Sequence, residues 1–146
     1  MYSFNDLNSI FLVSEKDVEE NDEFKLMFKH KYITIKCKVN FHGIECIGHF
    51  NFARDETLNY ITLLPTNEYI SYYTNDDIYP DEKYEIASRN KVEPILNEIY
   101  GEKIKVHDPY LGNDGYEWLS DNYHIRINRT SIDNNEQGGK INIWPK

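Results

Sequence analysis

The chain has 146 residues, of which 40% are hydrophobic and 14% aromatic, and its 25 acidic and 16 basic residues give a net charge of -9 at pH 7. This length is typical of one domain that buries its core without metal or disulfides, so we expect a single globular domain over residues 1–146. The acidic balance argues against direct binding of nucleic acid or of an anionic membrane, because both are negatively charged.

The sequence carries no targeting or membrane-spanning signal. Its apolar runs fall short of the roughly 20 residues that a transmembrane helix needs. The first residues, Met1-Tyr-Ser-Phe-Asn-Asp6, lack the basic and apolar regions of a secretory signal. We therefore expect a cytoplasmic protein.

Residues 31–52 predict a β-hairpin. Apolar and polar residues alternate from Ile33 to Phe41, which is the pattern of a strand with one buried face. A two-residue turn at His42-Gly43 would keep the apolar residues of both strands on that face. The predicted pairs are Phe41–Ile44, Val39–Cys46, Cys37–Gly48, Ile35–Phe50 and Ile33–Phe52.

The same register decides the state of the two cysteines, Cys37 and Cys46. Diagonal neighbours on a strand pair are roughly 7 Å apart, and a disulfide needs Cβ atoms roughly 3.5 to 4.5 Å apart. We therefore expect two reduced, buried cysteines. A redox pair is the alternative, but reactive thiols usually lie in exposed, electropositive surroundings.

One main helix is predicted near residues 90–100, because the apolar residues from Val92 to Ile99 recur at the i, i+3, i+4, i+7 spacing. Pro94 fits only in the first turn of a helix. The predicted start therefore lies between residues 88 and 91, and residues 83–87 are expected to form a separate turn or strand.

Strands are predicted on both sides of this helix. Residues 58–64 and 68–73 would extend the hairpin into an antiparallel meander, and residues 122–129 alternate in the same way. Shorter strands are expected at residues 103–106 and 141–144, the second of which includes Trp144. Strands in blocks around one main helix predict an α+β fold with an antiparallel sheet.

No motif in the sequence indicates a catalytic or metal site. The histidines lack metal-ligand spacing, the cysteines are not C-x-x-C, and no nucleophile elbow, P-loop or dinucleotide fingerprint is present. We therefore predict no catalytic residue, no cofactor and no metal. A hydrolase with dispersed residues stays open as an alternative, for which Glu117, His124 and Arg126 are one set near one end of the sheet.

Much of the acid lies in two tracts, Glu15–Glu23 and Asn75–Glu82, and the second follows a tyrosine-rich segment. Tyrosines supply contact area, and carboxylates steer and bond a basic cleft. We therefore predict that a basic protein binds at the second tract; the alternative is that the tyrosines are core and the acids solubilise. The predicted partner-binding residues are Tyr72, Tyr73, Asp76, Asp77, Tyr79, Asp81 and Glu82, and the secondary acidic tract contributes Asp17, Glu19, Glu20, Asp22 and Glu23.

Four segments follow one another along most of the chain. They are the hairpin end Gly48-His-Phe-Asn-Phe52, the strand Leu58-x-x-Ile-x-Leu63, the helix end Ile95-Leu-Asn-Glu-Ile-Tyr-Gly101, and Trp118 before the strand Tyr123-His-Ile-Arg-Ile127. This order resembles small bacterial α+β immunity proteins, which neutralise toxins delivered by neighbouring cells. The resemblance implies an acidic inhibitor that binds and blocks a basic toxin enzyme, and we expect that enzyme to be a nuclease with a positively charged cleft.

Other functions fit the same sequence. In a small-ligand or nucleotide sponge, tyrosines and Trp118 would stack on a planar ligand, in a pocket that holds one or two arginines. A phage-encoded inhibitor of a host defence enzyme would share the features of a toxin inhibitor. For the ligand sponge, the candidate arginines of the pocket are Arg54, Arg89, Arg126 and Arg129.

Overall fold

The computed structural model describes residues 2–13, 25–29, 33–53, 57–65, 82–107, 114–131 and 138–146. Within these residues the fold is α+β, with a large and mostly antiparallel sheet and one main helix. The elements in chain order are β1 (Tyr2–Phe4), α1 (Leu7–Ile10), β2 (Lys25–Lys29), β3 (Ile33–Phe41), β4 (Ile44–Phe52), β5 (Leu58–Pro65), α2 (Glu82–Tyr100), β6 (Ile104–His107), β7 (Asp114–Leu119), β8 (Tyr123–Asn128) and β9 (Ile141–Pro145).

All nine of these strands belong to one sheet, in the order β1-β3-β4-β5-β9-β8-β7-β6, and β2 also pairs with β3. β1 runs parallel to β3, and the other paired strands are antiparallel. β9 lies between β5 and β8. The last strand in the sequence therefore joins the hairpin half of the sheet to the half that follows α2.

The predicted hairpin register is confirmed at every pair, from Phe41 opposite Ile44 to Ile33 opposite Phe52. His42 and Gly43 have φ angles of 52° and 84°, the two positive values of a type I′ turn. The Asn40 side chain accepts a hydrogen bond from the Gly43 N–H at 2.9 Å. The turn therefore fixes the register that the apolar alternation demands.

Cys46 is a free and buried cysteine, as the register predicted. Burial raises the pKa of its thiol to about 12, so the reactive thiolate is scarce at neutral pH. The side chain of Cys37 lies outside the described part of the chain.

The predicted start of the main helix is wrong. α2 begins at Glu82, and Pro94 lies in its interior. Residues 83–87, expected to form a separate turn or strand, are helical. A mid-helix proline removes one backbone hydrogen bond and clashes with the preceding turn, which costs about 3 kcal/mol.

Tertiary contacts offset this cost by holding the first half of α2. The Tyr84 hydroxyl donates to the Pro65 carbonyl at 3.1 Å, and the Ser88 hydroxyl donates to the Gly139 carbonyl at 2.6 Å. The Glu85 carboxylate accepts from the Thr130 N–H at 2.5 Å. These contacts come from segments far away in sequence, so the local pattern could not reveal them.

The strands predicted at residues 58–64 and 122–129 are confirmed as β5 and β8, and the two shorter strands as β6 and β9. The strand predicted at residues 68–73 lies outside the described residues. β7 was not predicted, because its first residues, Asp114 and Gly115, belong to the turn-like sequence Gly112-Asn-Asp-Gly115.

One face of the sheet packs against both helices, and we call it the core face. Leu7 of α1 and Val92 and Leu96 of α2 belong to the same buried cluster as the inward residues of the strands. Trp118 is completely buried there, and its indole N–H donates to the Asn97 side chain at 2.8 Å. Neither helix in the described part of the chain is long and apolar enough to cross a membrane.

Candidate functional site

The face opposite the helices carries polar and aromatic side chains, and we call it the polar face. Strand residues alternate between the two faces, and the cross-strand register aligns the outward residues into rows. The outward residues that matter below are Lys36, Lys38, His49, Asn51, Tyr60, Leu64, Thr62, Asn142, Trp144, His124, Arg126, Glu117 and Leu119. Leu64 is buried on this face, whereas Tyr60 is 40% exposed and Leu119 57% exposed.

A pocket of about 480 Å³ opens on the polar face where β5 and β9 lie side by side. Ile61 of β5 pairs with Ile143 of β9, so the preceding Tyr60 and the following Trp144 are neighbours across the two strands. Two aromatic rings and several amides therefore share one concave site. Its lining residues are Asn59, Tyr60, Asn142, Trp144 and Pro145.

His124 of β8 covers the other side of Trp144. The imidazole and indole rings stack at 4.8 Å with an interplanar angle of 17°. Nδ1 of the imidazole is hydrogen-bonded to the Glu117 carboxylate. A carboxylate only accepts, so Nδ1 is the donor in this hydrogen bond.

Asn142 lines this pocket, and Arg126 is its cross-strand partner on β8. The guanidinium donates through Nε to the Asn128 side chain at 2.7 Å, and its two terminal nitrogens have no hydrogen-bond partner within the described residues. The Thr62 hydroxyl donates to Asn142 Oδ1 at 2.9 Å, which leaves the Asn142 amide N–H groups as donors.

His49 lies at the middle of the polar face, beside Lys36 on one side and Thr62 on the other. Its pKa is lowered to about 4, first by burial and then by the positive charges of Lys36 and Lys140. His49 is therefore a half-buried, neutral imidazole in electropositive surroundings.

A second, smaller pocket of about 180 Å³ lies where the segment around α1 meets the turn between β7 and β8. Tyr100 lines it, and its hydroxyl is 2.8 Å from the His42 Nε2. Burial raises the pKa of Tyr100 to about 12. No cluster of three or more His, Cys, Asp or Glu side chains suited to a metal ion occurs in the described ranges.

The predicted partner-binding residues fall almost entirely outside the described part of the chain. This holds for Glu15–Glu23, with all five residues of the secondary tract, and for six of the seven residues of the main set. The exception is Glu82, which is exposed and begins α2. The prediction that these carboxylates and tyrosines form a partner surface therefore stays a prediction.

Two residues that were predicted to contact a ligand, Trp118 and Arg89, lie elsewhere in the structure. Trp118 cannot stack on a ligand, because it is fully buried against Asn97 on the core face. Arg89 lies outside both pockets and pairs with Glu85 and Glu93. Arg54 lies beyond the described residues. Arg126 does not line the aromatic pocket itself, but it is the cross-strand partner of Asn142, which does.

Glu117, His124 and Arg126 do come together, since Glu117 pairs with Arg126 across β7 and β8. Tyr60 and Trp144 were not predicted as pocket residues. The signal was present in the alternation of β9, where Ile141 and Ile143 point to the core and Trp144 therefore points the other way.

No protein-family model matches the chain, and no curated protein matches it. Among solved structures, the chain is similar to a DUF4309 family protein, YjgB, from Bacillus subtilis subsp. subtilis str. 168. The two share 11% identity with a TM-score of 0.46, over 92% of this chain and 80% of that chain.

Proposed function

We propose that this protein binds a small planar ligand in the Tyr60–Trp144 pocket of its polar face. The single observation that supports the proposal is the pocket itself, whose volume of about 480 Å³ falls in the range of roughly 300 to 1,000 Å³ found for ligand sites. Apolar rings with a few converging polar groups are the usual composition of such sites.

The ring of the ligand would lie on the Tyr60 side of Trp144. His124 already stacks on one face of the indole, so the other face is the one left for a ligand. Aromatic stacking contributes about 0.5 to 1.5 kcal/mol beyond the burial of area. The amides of Asn59 and Asn142 would then orient the ligand through hydrogen bonds.

Calorimetric titration with a panel of planar compounds (nucleosides, nucleotides, flavins and aromatic acids) tests this proposal. We expect at least one compound to bind, with Trp144→Ala and Tyr60→Ala each reducing its affinity about tenfold or more, and Trp144→Phe retaining part of it. Leu119→Ala is the matched control, since Leu119 is an exposed apolar residue of the same face. Equal affinities for all of these variants would contradict the proposal.

A second candidate is the acidic inhibitor of a basic toxin enzyme, and the distribution of charge favours it. The described ranges contain 13 of the 16 basic residues but only 10 of the 25 acidic residues. The net charge of -9 therefore originates in the remaining segments, which include both acidic tracts. Concentrated acid of this kind accelerates association with a basic protein.

Affinity capture from the native host, followed by rate measurements on the captured protein, tests this second candidate. Replacing four acidic residues of the second tract, Asn75–Glu82, by amides should slow association at low salt and leave dissociation nearly unchanged. An unchanged association rate would contradict the electrostatic mechanism. The substitutions are Asp76→Asn, Asp77→Asn, Asp81→Asn and Glu82→Gln.

A further inference from the structure

A row of cross-strand neighbours runs over the polar face beside the pocket. The register pairs Lys36 with His49, then Thr62, Asn142 and Arg126 in turn. Neighbouring strands are about 4.8 Å apart, so the four steps between the two cations span about 19 Å. Thr62 and Asn142 between them are neutral, and His49 is neutral at pH 7.

This row is electropositive in a protein whose net charge is negative. Neither Lys36 nor Arg126 takes part in an ion pair with any other described residue. Glu117, the nearest carboxylate beyond Arg126, is bonded to His124. The pKa of His49 is lowered first by burial and then by the positive charges of Lys36 and Lys140, which act on this row.

Arg126 is placed to receive an oxyanion. Its Nε is used by Asn128, which holds the guanidinium plane, and its terminal N–H groups have no partner among the described side chains. A guanidinium held in this way presents parallel donors to a phosphate or carboxylate. The Asn142 amide, at the next position of the row, adds a neutral donor.

The separation between ring site and anion site sets the shape of the ligand. Trp144 and Arg126 are diagonal neighbours on β9 and β8, which places their Cα atoms about 7 to 8 Å apart. Arg126 extends toward Asn128, away from His124 and Trp144. The ring and the anionic group of one ligand must therefore be joined through a spacer.

We propose that the ligand of this pocket is nucleotide-like: a planar ring on Trp144 and Tyr60, linked through a spacer to a phosphate that Arg126 binds. This inference rests on the function proposed above and adds the chemical class of the ligand. The sugar of a nucleotide is a spacer of the required kind.

Calorimetric titration with adenosine, AMP and ADP, together with the monophosphates of the other bases, tests the inference. At low salt we expect at least one nucleoside monophosphate to bind about tenfold or more tightly than its nucleoside. Arg126→Gln should bring the two affinities together by weakening the nucleotide alone, and Arg126→Lys should retain part of the difference. Lys38→Gln, which removes an exposed cation from the same face, is the control and should change neither affinity.

Four outcomes would overturn the inference. Equal affinities for nucleoside and nucleotide would show that no phosphate site exists. An equal loss of affinity for both in a folded Arg126→Gln protein would show that Arg126 does not bind the phosphate. Binding of neutral planar rings with no binding of any nucleoside monophosphate would overturn the nucleotide class and leave the planar-ligand function standing. If no planar compound binds, both proposals fall.

Discussion

The two faces of the sheet are built by different rules. On the core face, fully buried residues such as Phe50, Ile61 and Ile125 hold the sheet to the helices through apolar contact. On the polar face, side chains are tied to their cross-strand neighbours by hydrogen bonds, as Thr62 is to Asn142. The comparison teaches that one face is organised by burial, whereas the other is organised by polar pairs that leave donors available.

The largest loss of stability is expected for a substitution on the core face that leaves the polar face unchanged. Phe50→Ala should lower the free energy of unfolding by about 3 to 5 kcal/mol, since it leaves a cavity in a fully buried position. Tyr60→Ala, on a neighbouring strand but exposed on the other face, should cost less than about 1 kcal/mol. Urea denaturation measures both, and similar losses would mean that the two faces do not differ as described.

The next largest effect concerns His49, a half-buried histidine on the polar face. Its pKa is about 4 in the folded protein and about 6.5 when unfolded, so the unfolded chain binds the proton more tightly. The stabilising contribution of the neutral imidazole is present above pH 6.5 and is lost as pH falls toward 4, by about 2 to 3 kcal/mol.

Urea denaturation of the native protein and of His49→Asn across pH 4 to 7 isolates this contribution, because carboxylates that titrate in the same range are common to both proteins. The stability difference between them should change with pH in the predicted direction. A difference that is independent of pH would show that His49 titrates normally.

A smaller effect is expected at Glu85, the buried charged residue on the helix side of the sheet. Its carboxylate accepts from the Thr130 N–H and from Arg89. Glu85→Gln should cost about 1 to 2 kcal/mol, because the amide keeps one acceptor and loses the charge-assisted bond. Glu98→Gln on the exposed side of the same helix serves as the comparison, and denaturation should show little change for it.

The smallest effect concerns a single polar pair, Thr62 and Asn142. A double-mutant cycle with Thr62→Val and Asn142→Ala should give a coupling energy of about 0.5 to 1 kcal/mol, typical of cross-strand pairs. Additive losses would mean that this hydrogen bond does not organise the polar face.

The sequence predicts most where its signals are local. In the hairpin, apolar alternation and the His42-Gly43 turn require the same register, and all of it is confirmed. The start of α2 was wrong because Pro94 is a strong local signal that distant contacts override, through residues such as Tyr84 and Ser88. Short β1 has too few residues for any periodicity.

The candidate site likewise depends partly on local sequence signals and partly on contacts between distant segments. The outward direction of Trp144 follows from the alternation of β9. Its proximity to Tyr60, however, depends on the pairing of two strands that are about 80 residues apart in sequence. Trp118 was misassigned because an aromatic residue near polar neighbours looks the same in sequence whether it packs on a helix or faces a ligand. Only the register of β7 with β8 places it on the core face.

The position of β9 sets the order in which the sheet can be completed. β5 and β8 both lack a partner on one edge until residues 141–145 arrive between them. Because β9 follows the other described strands in sequence, its places on β5 and β8 stay open during synthesis until residues 141–145 have been made, and open strand edges invite misassembly. Within the described residues, this five-residue strand is what connects the two halves into one sheet.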